Sequence, residues 1–314
     1  MKGRATERRS VVRERRGNVT TPQVSLLSGA SDGAETTRHA VNRCQEESGL
    51  RTPEEGSVRP PAVIAGIGTT AAHALKGRLL VDALAREHVE LRQAIPFGDP
   101  EALIADTGWE LALVLSPWKK AVAERMDSLT VSATATGVVD TIVRHHGRSV
   151  GVNTNCWAAQ AAMETVMGGR SPDSVLVLGS GGSSNSAALA ARRAWPHARL
   201  AGSARNSAAL ADWAFRFGAD GVAPADLLGE FGVAPPSLVI NTTTWGETDA
   251  SETGDFAFPF ERLAAPGNGF FDLNNRTSSL QTAALQAGMN VMSGTFMQRV
   301  TNACRAALLK ARTS

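Results

Sequence analysis

The run Ser174-Val-Leu-Val-Leu178 is apolar without a break and stops at Gly179-Ser-Gly-Gly182, beyond which the chain is rich in alanine. A short continuous apolar run closed by turn residues reads as a strand buried on both faces. The alanine-rich segment after it reads as a helix. A strand, a glycine turn and a helix N-terminus together bring backbone N–H groups up to a phosphate. Gly179 permits the tight turn, and Gly181 lets the backbone approach closely. Ser184 stands where the strict G-x-G-x-x-G pattern asks for a third glycine, so the context carries the reading more than the pattern does. Gly179, Gly181, Gly182 and Ser183 are the candidate phosphate contacts. A glycine-rich turn without a ligand is the plainer alternative.

The rest of the chain alternates in the same way. Strands are expected over 62–68, 89–95, 110–115 and 138–143, and again over 198–202, 237–241 and 269–273. Helices are expected over 74–87, 98–106, 118–127, 156–168 and 293–312, the last one amphipathic. Alternating β and α elements imply an α/β protein with mostly parallel, helix-covered sheets. Residues 1–58 are polar, with Arg8, Arg9, Arg13, Arg15 and Arg16 among them and no sustained apolar period. They read as a disordered basic tail.

Composition narrows the chemistry. The net charge of +2 is too small to imply nucleic acid. No apolar run is long enough to span a bilayer, and the start lacks a signal-peptide core. Cys44, Cys156 and Cys304 match no metal spacing, so no metal is expected and a cytoplasmic setting fits. Tyrosine is absent, which excludes a phenol as acid. Lysine occurs only at 2, 76, 119, 120 and 310. Lys119 ends Leu113-Val-Leu-Ser-Pro-Trp118, where a buried strand emerges. A partly desolvated ammonium shifts its pKa and passes a proton, which arginine does not. A solvated lysine opening the next helix is the simpler reading of this segment taken alone.

The strand after the glycine loop runs into Gly202-Ser-Ala-Arg205 with no acid at its end. NAD sites place Asp or Glu there for the ribose hydroxyls. Ser203 and Arg205 suit a 2′-phosphate instead, the guanidinium by bidentate hydrogen bonds. NADP(H) is therefore the expected cofactor.

With these motifs in order, the chain resembles the shikimate dehydrogenase family over about residues 60–314. Leu238-Val-Ile-Asn-Thr-Thr-Thr-Trp-Gly246 is similar to the family's Ile-Asn-Ala-Thr-Pro-x-Gly cofactor segment, which carries Asn241, Thr242 and Thr243 into the cofactor set. Phe271-Asp-Leu-Asn-Asn275 and Leu285-Gln-Ala-Gly288 resemble its closing strand and helix. Gly294 and Met297 resemble the Gly and Met near its nicotinamide. Ser116-Pro-Trp-Lys119 resembles the segment bearing its catalytic lysine, and Gly151-Val-Asn-Thr-Asn155 its Gly-x-Asn-Thr-Asp. The resemblance implies an N-terminal α/β substrate domain (59–155 plus 293–314), a Rossmann-type NADP-binding domain (156–292) and a final helix returning to the first domain. It also implies reversible hydride transfer in the cleft between them; the expected assembly is a monomer or homodimer.

The departures are as informative. The family's lysine partner is an aspartate, and here that place holds Asn155. Its Gly-Ala-Val-Asn-Thr appears as Gly137-Val-Val-Asp-Thr141, so Asp140 becomes the candidate carboxylate beside Lys119. Its carboxylate-binding His-Ser-Leu-Ser-Pro appears as His73-Ala-Leu-Lys-Gly77: Ala74 replaces a hydroxyl, and Lys76 offers a point charge. Leu113 and Leu115 replace residues that bind ring hydroxyls, while Asn153 and Asn275 complete the expected substrate set. A polyol would leave its hydroxyls unpaired there. A small carboxylate other than shikimate is expected, including amino-bearing ones held between Lys76 and Asp140, in specialised metabolism. A dinucleotide-binding sensor or assembly protein without turnover is the alternative.

Overall fold

In the computed structural model, residues 26–27, 33–50 and 60–311 are described. The chain begins with β1 (Leu26–Leu27) and α1 (Ala34–Ser48). It then runs through β2 (Ala62–Ile67), α2 (Ala71–Ala74), α3 (Arg78–Arg86), β3 (Leu91–Phe97), α4 (Pro100–Ala105), β4 (Leu111–Val114), α5 (Lys119–Ala123) and β5 (Ser128–Leu129). α6 (Val131–Thr136), β6 (Thr141–His145), β7 (Arg148–Val152) and α7 (Thr154–Met167) complete the first half. The second half holds β8 (Ser174–Leu178), α8 (Gly182–Ala194), β9 (Arg199–Ser203), α9 (Ser207–Phe217), β10 (Asp220–Gly221) and α10 (Leu227–Phe231). It closes with β11 (Leu238–Asn241), α11 (Phe260–Leu263), β12 (Gly269–Asp272), α12 (Ser279–Gln286), β13 (Asn290–Ser293) and α13 (Gly294–Ala311).

Two sheets organise these elements. The second is parallel throughout, in the order β1-β13-β12-β11-β8-β9-β10. Leaving out β1, this is the 3-2-1-4-5-6 order of a dinucleotide-binding sheet. The strand order reverses between β8 and β11, and ligands bind at such a switch point. The first sheet runs β3-β2-β4-β6-β7-β5. It is mixed rather than parallel, because β6 lies antiparallel to both β4 and β7. A two-residue turn joins β6 to β7, with φ of 50° at His146 and 75° at Gly147. Positive φ at both central residues gives the twist that a tight hairpin requires.

Several boundaries differ from those the sequence predicts. The 74–87 helix is two helices, broken at Gly77, whose extended ψ of 133° opens α3. The strand placed at 138–143 begins at Thr141: Val138 and Val139 are fully buried but donate to Ala133 O and Lys119 O, outside the sheet, and only from Asp140 do the backbone bonds run to β4 and β7. The largest correction concerns the polar stretch 1–58. Residues 34–48 form a fifteen-residue helix, α1, closed by Gly49 in the left-handed region (φ 69°). Its apolar face is small, made by Ala40, Val41 and Cys44, and it packs against α7 and α13 in the largest core. Three small residues among many polar ones leave almost no periodic signal. Residues 1–25, 28–32 and 51–58 of that stretch lie outside the described residues.

α1 is anchored by Glu47, whose carboxylate lies among buried partners. It accepts from Trp157 Nε1 (2.7 Å) and Ser132 Oγ (2.7 Å), and from the Ser132 backbone N–H, and it faces Arg193 at 3.5 Å. Arg193 in turn lies over the Trp157 ring, 4.3 Å from its centroid. Glu47→Ala should cost about 2 kcal/mol, since several donors to a charged acceptor are orphaned while Arg193 keeps some solvent. Urea unfolding checks this: an unchanged midpoint would mean that α1 does not stabilise the fold.

Candidate functional site

The two sheets meet at a cleft of about 580 Å³, and a second cavity of about 590 Å³ lies over the glycine loop. Gly179 has φ of +112°, and a Cβ on it would stand 2.6 Å from Thr242 Oγ1, so a side chain there is excluded. Thr242 fixes that approach by donating from Oγ1 to Leu178 O (2.7 Å). Gly181 caps α8 without a side-chain hydrogen bond, and a Cβ on it would meet nothing within 4 Å. The loop therefore presents bare backbone and a thirteen-residue helix N-terminus to open space, an arrangement that fits a pyrophosphate. Gly179, Gly181, Arg205, Thr242 and Thr243 line the cavity over the glycine loop, with Trp245 and Phe256 in its wall. Ser183, Gly294 and Met297 line the central cleft instead. One loop thus faces both cavities. The residues fit a bound dinucleotide.

Other expected contacts are corrected. Ser203 is fully buried, its Oγ has no hydrogen-bond partner, and it does not line the cavity over the glycine loop. Its side chain points into the sheet's packing at the end of β9, which leaves Arg205 and Asn206 at the cavity. Asn241 is also fully buried: its amide donates to Asp272 Oδ1 (3.0 Å), and its Oδ1 accepts from Thr243 N and Oγ1. It shapes the turn rather than facing a ligand. Gly182 opens α8 and faces Val138.

On the substrate side, Lys119 stands at the start of α5, where β4 has left the sheet. The residue is half-buried and lines the cleft. Burial pushes its pKa below the lysine range; Asp140 opposes that, and Arg305 adds to it. Ala74, Leu113, Leu115, Asn155 and Asn275 line the same cleft. Asn155 Oδ1 accepts from Thr301 Oγ1 (3.1 Å).

Asp140 does not line the cleft. It is fully buried behind it, and its oxygens already accept four hydrogens: from Thr141 Oγ1 (2.8 Å), Thr154 N (3.1 Å) and Thr154 Oγ1 on Oδ1, and from Asn155 N (2.7 Å) on Oδ2. It caps α7 and acts on Lys119 through its charge. Asn153 is buried too, accepting from Cys156 N and donating to Thr136 Oγ1 and Ser186 Oγ, so it is a helix cap and not a substrate contact. Lys76 is exposed and outside the cleft, because the break at Gly77 turns it to solvent. The charge pair expected from Lys76 and Asp140 is therefore not formed across the cleft, and the amino-bearing substrate loses its basis.

The sequence reading missed Arg305. It projects from α13, is 5% exposed and lines the cleft. Its signal was slight: Asn302 and Arg305 are polar residues three apart on the otherwise apolar face of α13. Among the described residues, the cleft carries Arg78, Lys119 and Arg305 against one acid, Glu247.

Such a geometry, a mixed sheet and a parallel sheet of 3-2-1-4-5-6 order meeting at one cleft, is that of a two-sheet α/β fold whose second half is of the dinucleotide-binding type. The comparisons with known proteins agree. No family model matches the sequence. The shikimate dehydrogenase (NADP(+)) of Brucella abortus strain S19 is 30% identical over 172 residues, 54% of this chain and 58% of that protein. The matched stretch thus spans little more than half of that relative. Shikimate dehydrogenase from Thermus thermophilus, solved with NADP(H) and shikimate, has a TM-score of 0.66 at 22% identity, covering 80% of this chain and 98% of that one. The Listeria monocytogenes enzyme, solved with shikimate and NAD, has a TM-score of 0.68 at 16% identity, covering 83% and 95%. The chain has the fold of those structures, and over about half its length it is similar in sequence to the Brucella enzyme.

Proposed function

We propose that the chain is an NADP(H)-dependent oxidoreductase acting on a C=O or C–OH group of a small carboxylate other than shikimate. The observation that carries this reading is the shared cleft: Lys119 from the first half and Ser183, Gly294 and Met297 from the second line one cavity. The dinucleotide, when bound, supplies or accepts a hydride. Gly179, Gly181, Thr242 and Thr243 would hold its phosphates and Arg205 a 2′-phosphate. Lys119 gives a proton to the carbonyl oxygen as the carbon is reduced and takes it back in the reverse direction. Leu113, Leu115 and Ala74 make the wall apolar where ring hydroxyls would need partners, which disfavours a polyol. The curated relative, whose name carries NADP(+), supports the choice of cofactor.

Trp245 in the cavity wall is a donor for fluorescence transfer to a reduced nicotinamide. NADPH should bind more tightly than NADH, and Arg205→Ala should weaken NADPH about tenfold or more while leaving NADH unchanged, since charge-assisted bonds to a phosphate are lost. Binding of neither nucleotide would overturn the oxidoreductase reading and leave a scaffold without redox turnover.

A further inference from the structure

We infer that Arg305 binds the substrate's carboxylate, and that this carboxylate is bonded directly to the reacting carbon: the substrate is a 2-oxo or 2-hydroxy acid with an apolar side chain. The inference rests on the dehydrogenase reading of the cleft and names its substrate class.

Arg305 is built into place. Its Nε donates to Thr141 Oγ1 (3.0 Å), Nη1 to Asn302 Oδ1 (3.2 Å) and Nη2 to Asp140 O (3.1 Å). A guanidinium has five N–H groups, so these three bonds fix the plane and leave two donors uncommitted. Its pairing with the nearest carboxylate is long: Asp140 Oδ1 is 4.0 Å from Nη2 and already accepts from Thr141 and Thr154, so the pair leaves donors of the guanidinium unused. A nearly buried cation held at three points, with donors to spare and a cavity beside it, is suited to a planar anion.

Lys119 and Arg305 both lie around Asp140. Val139 N donates to Lys119 O (3.0 Å) and Arg305 Nη2 to Asp140 O (3.1 Å), so the two cationic residues are bonded to consecutive residues of one buried segment and line the same cleft. An acid gripped by Arg305 therefore sits close to the oxygen that Lys119 protonates, which favours a substrate whose carboxylate and carbonyl are on neighbouring carbons. Leu79, Leu80, Leu113, Leu115 and Met297 form the apolar part of the cleft's wall, beside polar Thr69, Thr70, Ser116 and Gln298. That wall takes a hydrocarbon side chain. In the forward direction the 2-oxo acid gains a hydride at C2 from the reduced dinucleotide and a proton at its oxygen from Lys119. The products are the 2-hydroxy acid, the oxidised dinucleotide and neutral Lys119, which takes a proton back from water.

The test is binding of 4-methyl-2-oxopentanoate by calorimetry, without nucleotide, to the wild type, Arg305→Gln and Arg305→Lys. The comparison ligands are 4-methyl-2-pentanone, which lacks the acid, and cyclohexanecarboxylate, which lacks the neighbouring carbonyl. The oxo acid should bind best, and at least tenfold more weakly to Arg305→Gln, with Arg305→Lys between them. NADPH affinity should be unchanged in both variants. Equal binding of the oxo acid by a folded Arg305→Gln, or tighter binding of cyclohexanecarboxylate by the wild type, would overturn the inference. If Arg305→Gln does not fold, the wild type decides through the Arg305 Nε resonance, assigned by its absence from Arg305→Lys: it must move with the oxo acid and stay still with the ketone. Oxo-acid binding without NADPH oxidation would leave the anion site standing and remove the dehydrogenase reading. NADPH binding with no oxo-acid binding would remove the inference alone.

Discussion

Lys119→Met should lower kcat by about 10²–10⁴, the range of a positioned general acid, while NADPH affinity and the melting temperature stay close to those of the wild type. Steady-state kinetics in both directions, with nucleotide binding measured on the same samples, checks this. The size follows from the absence of a substitute: among the described residues lining the cleft, His73 and Glu247 are the other His, Asp, Glu, Lys or Cys side chains, and neither lies on the element that carries Lys119. The pH dependence has a definite sign. Reduction needs the ammonium and oxidation needs the amine. Burial and Arg305 lower the Lys119 pKa from 10.5, and Asp140 opposes them. Reduction should therefore fall with rising pH at values below the ordinary lysine range, and oxidation should rise over the same interval. A Lys119→Met variant with unreduced kcat would remove the lysine from the chemistry.

Legibility in the sequence followed the strength of the local pattern. β8 and the turn after it were readable because a doubly buried parallel strand is apolar without a break and because Gly179 occupies a backbone conformation closed to side chains. That Lys119 would stand where a buried strand emerges, at the cleft, was readable because the apolar run before it ends in a Pro turn. α1 was not, since Ala40, Val41 and Cys44 are small and its main anchor is the polar Glu47. Ser203, Asn153 and Asn241 were expected to meet ligands because they adjoin the motifs, yet all three are fully buried, and the two asparagines serve the backbone around them. Proximity in sequence to a ligand loop does not fix which way a polar side chain points. Arg305 was hidden for the opposite reason. The oxygen it bonds on Asp140 is 165 residues away, and only tertiary structure brings them together.

Asp140→Ala should destabilise the fold by about 3–5 kcal/mol, the cost of breaking a buried charge pair from one side. The change leaves the Thr154 and Asn155 N–H groups and the Thr141 and Thr154 hydroxyls without their acceptor, and strips Arg305 of its nearby carboxylate. That is a large share of the roughly 5–15 kcal/mol by which such proteins are stable, so urea unfolding should show a much lower midpoint. Asp140→Asn is the more discriminating change. It keeps the shape and one acceptor, and should cost less than the alanine. It also removes the charge that holds the Lys119 pKa up, so the fall in reduction rate should move to lower pH while the plateau below it survives. A folded Asp140→Asn with no activity at any pH would instead make Asp140 a proton carrier, a role that its burial and its four accepted hydrogens argue against. The two variants thus separate what the carboxylate does for the fold from what its charge does for the lysine.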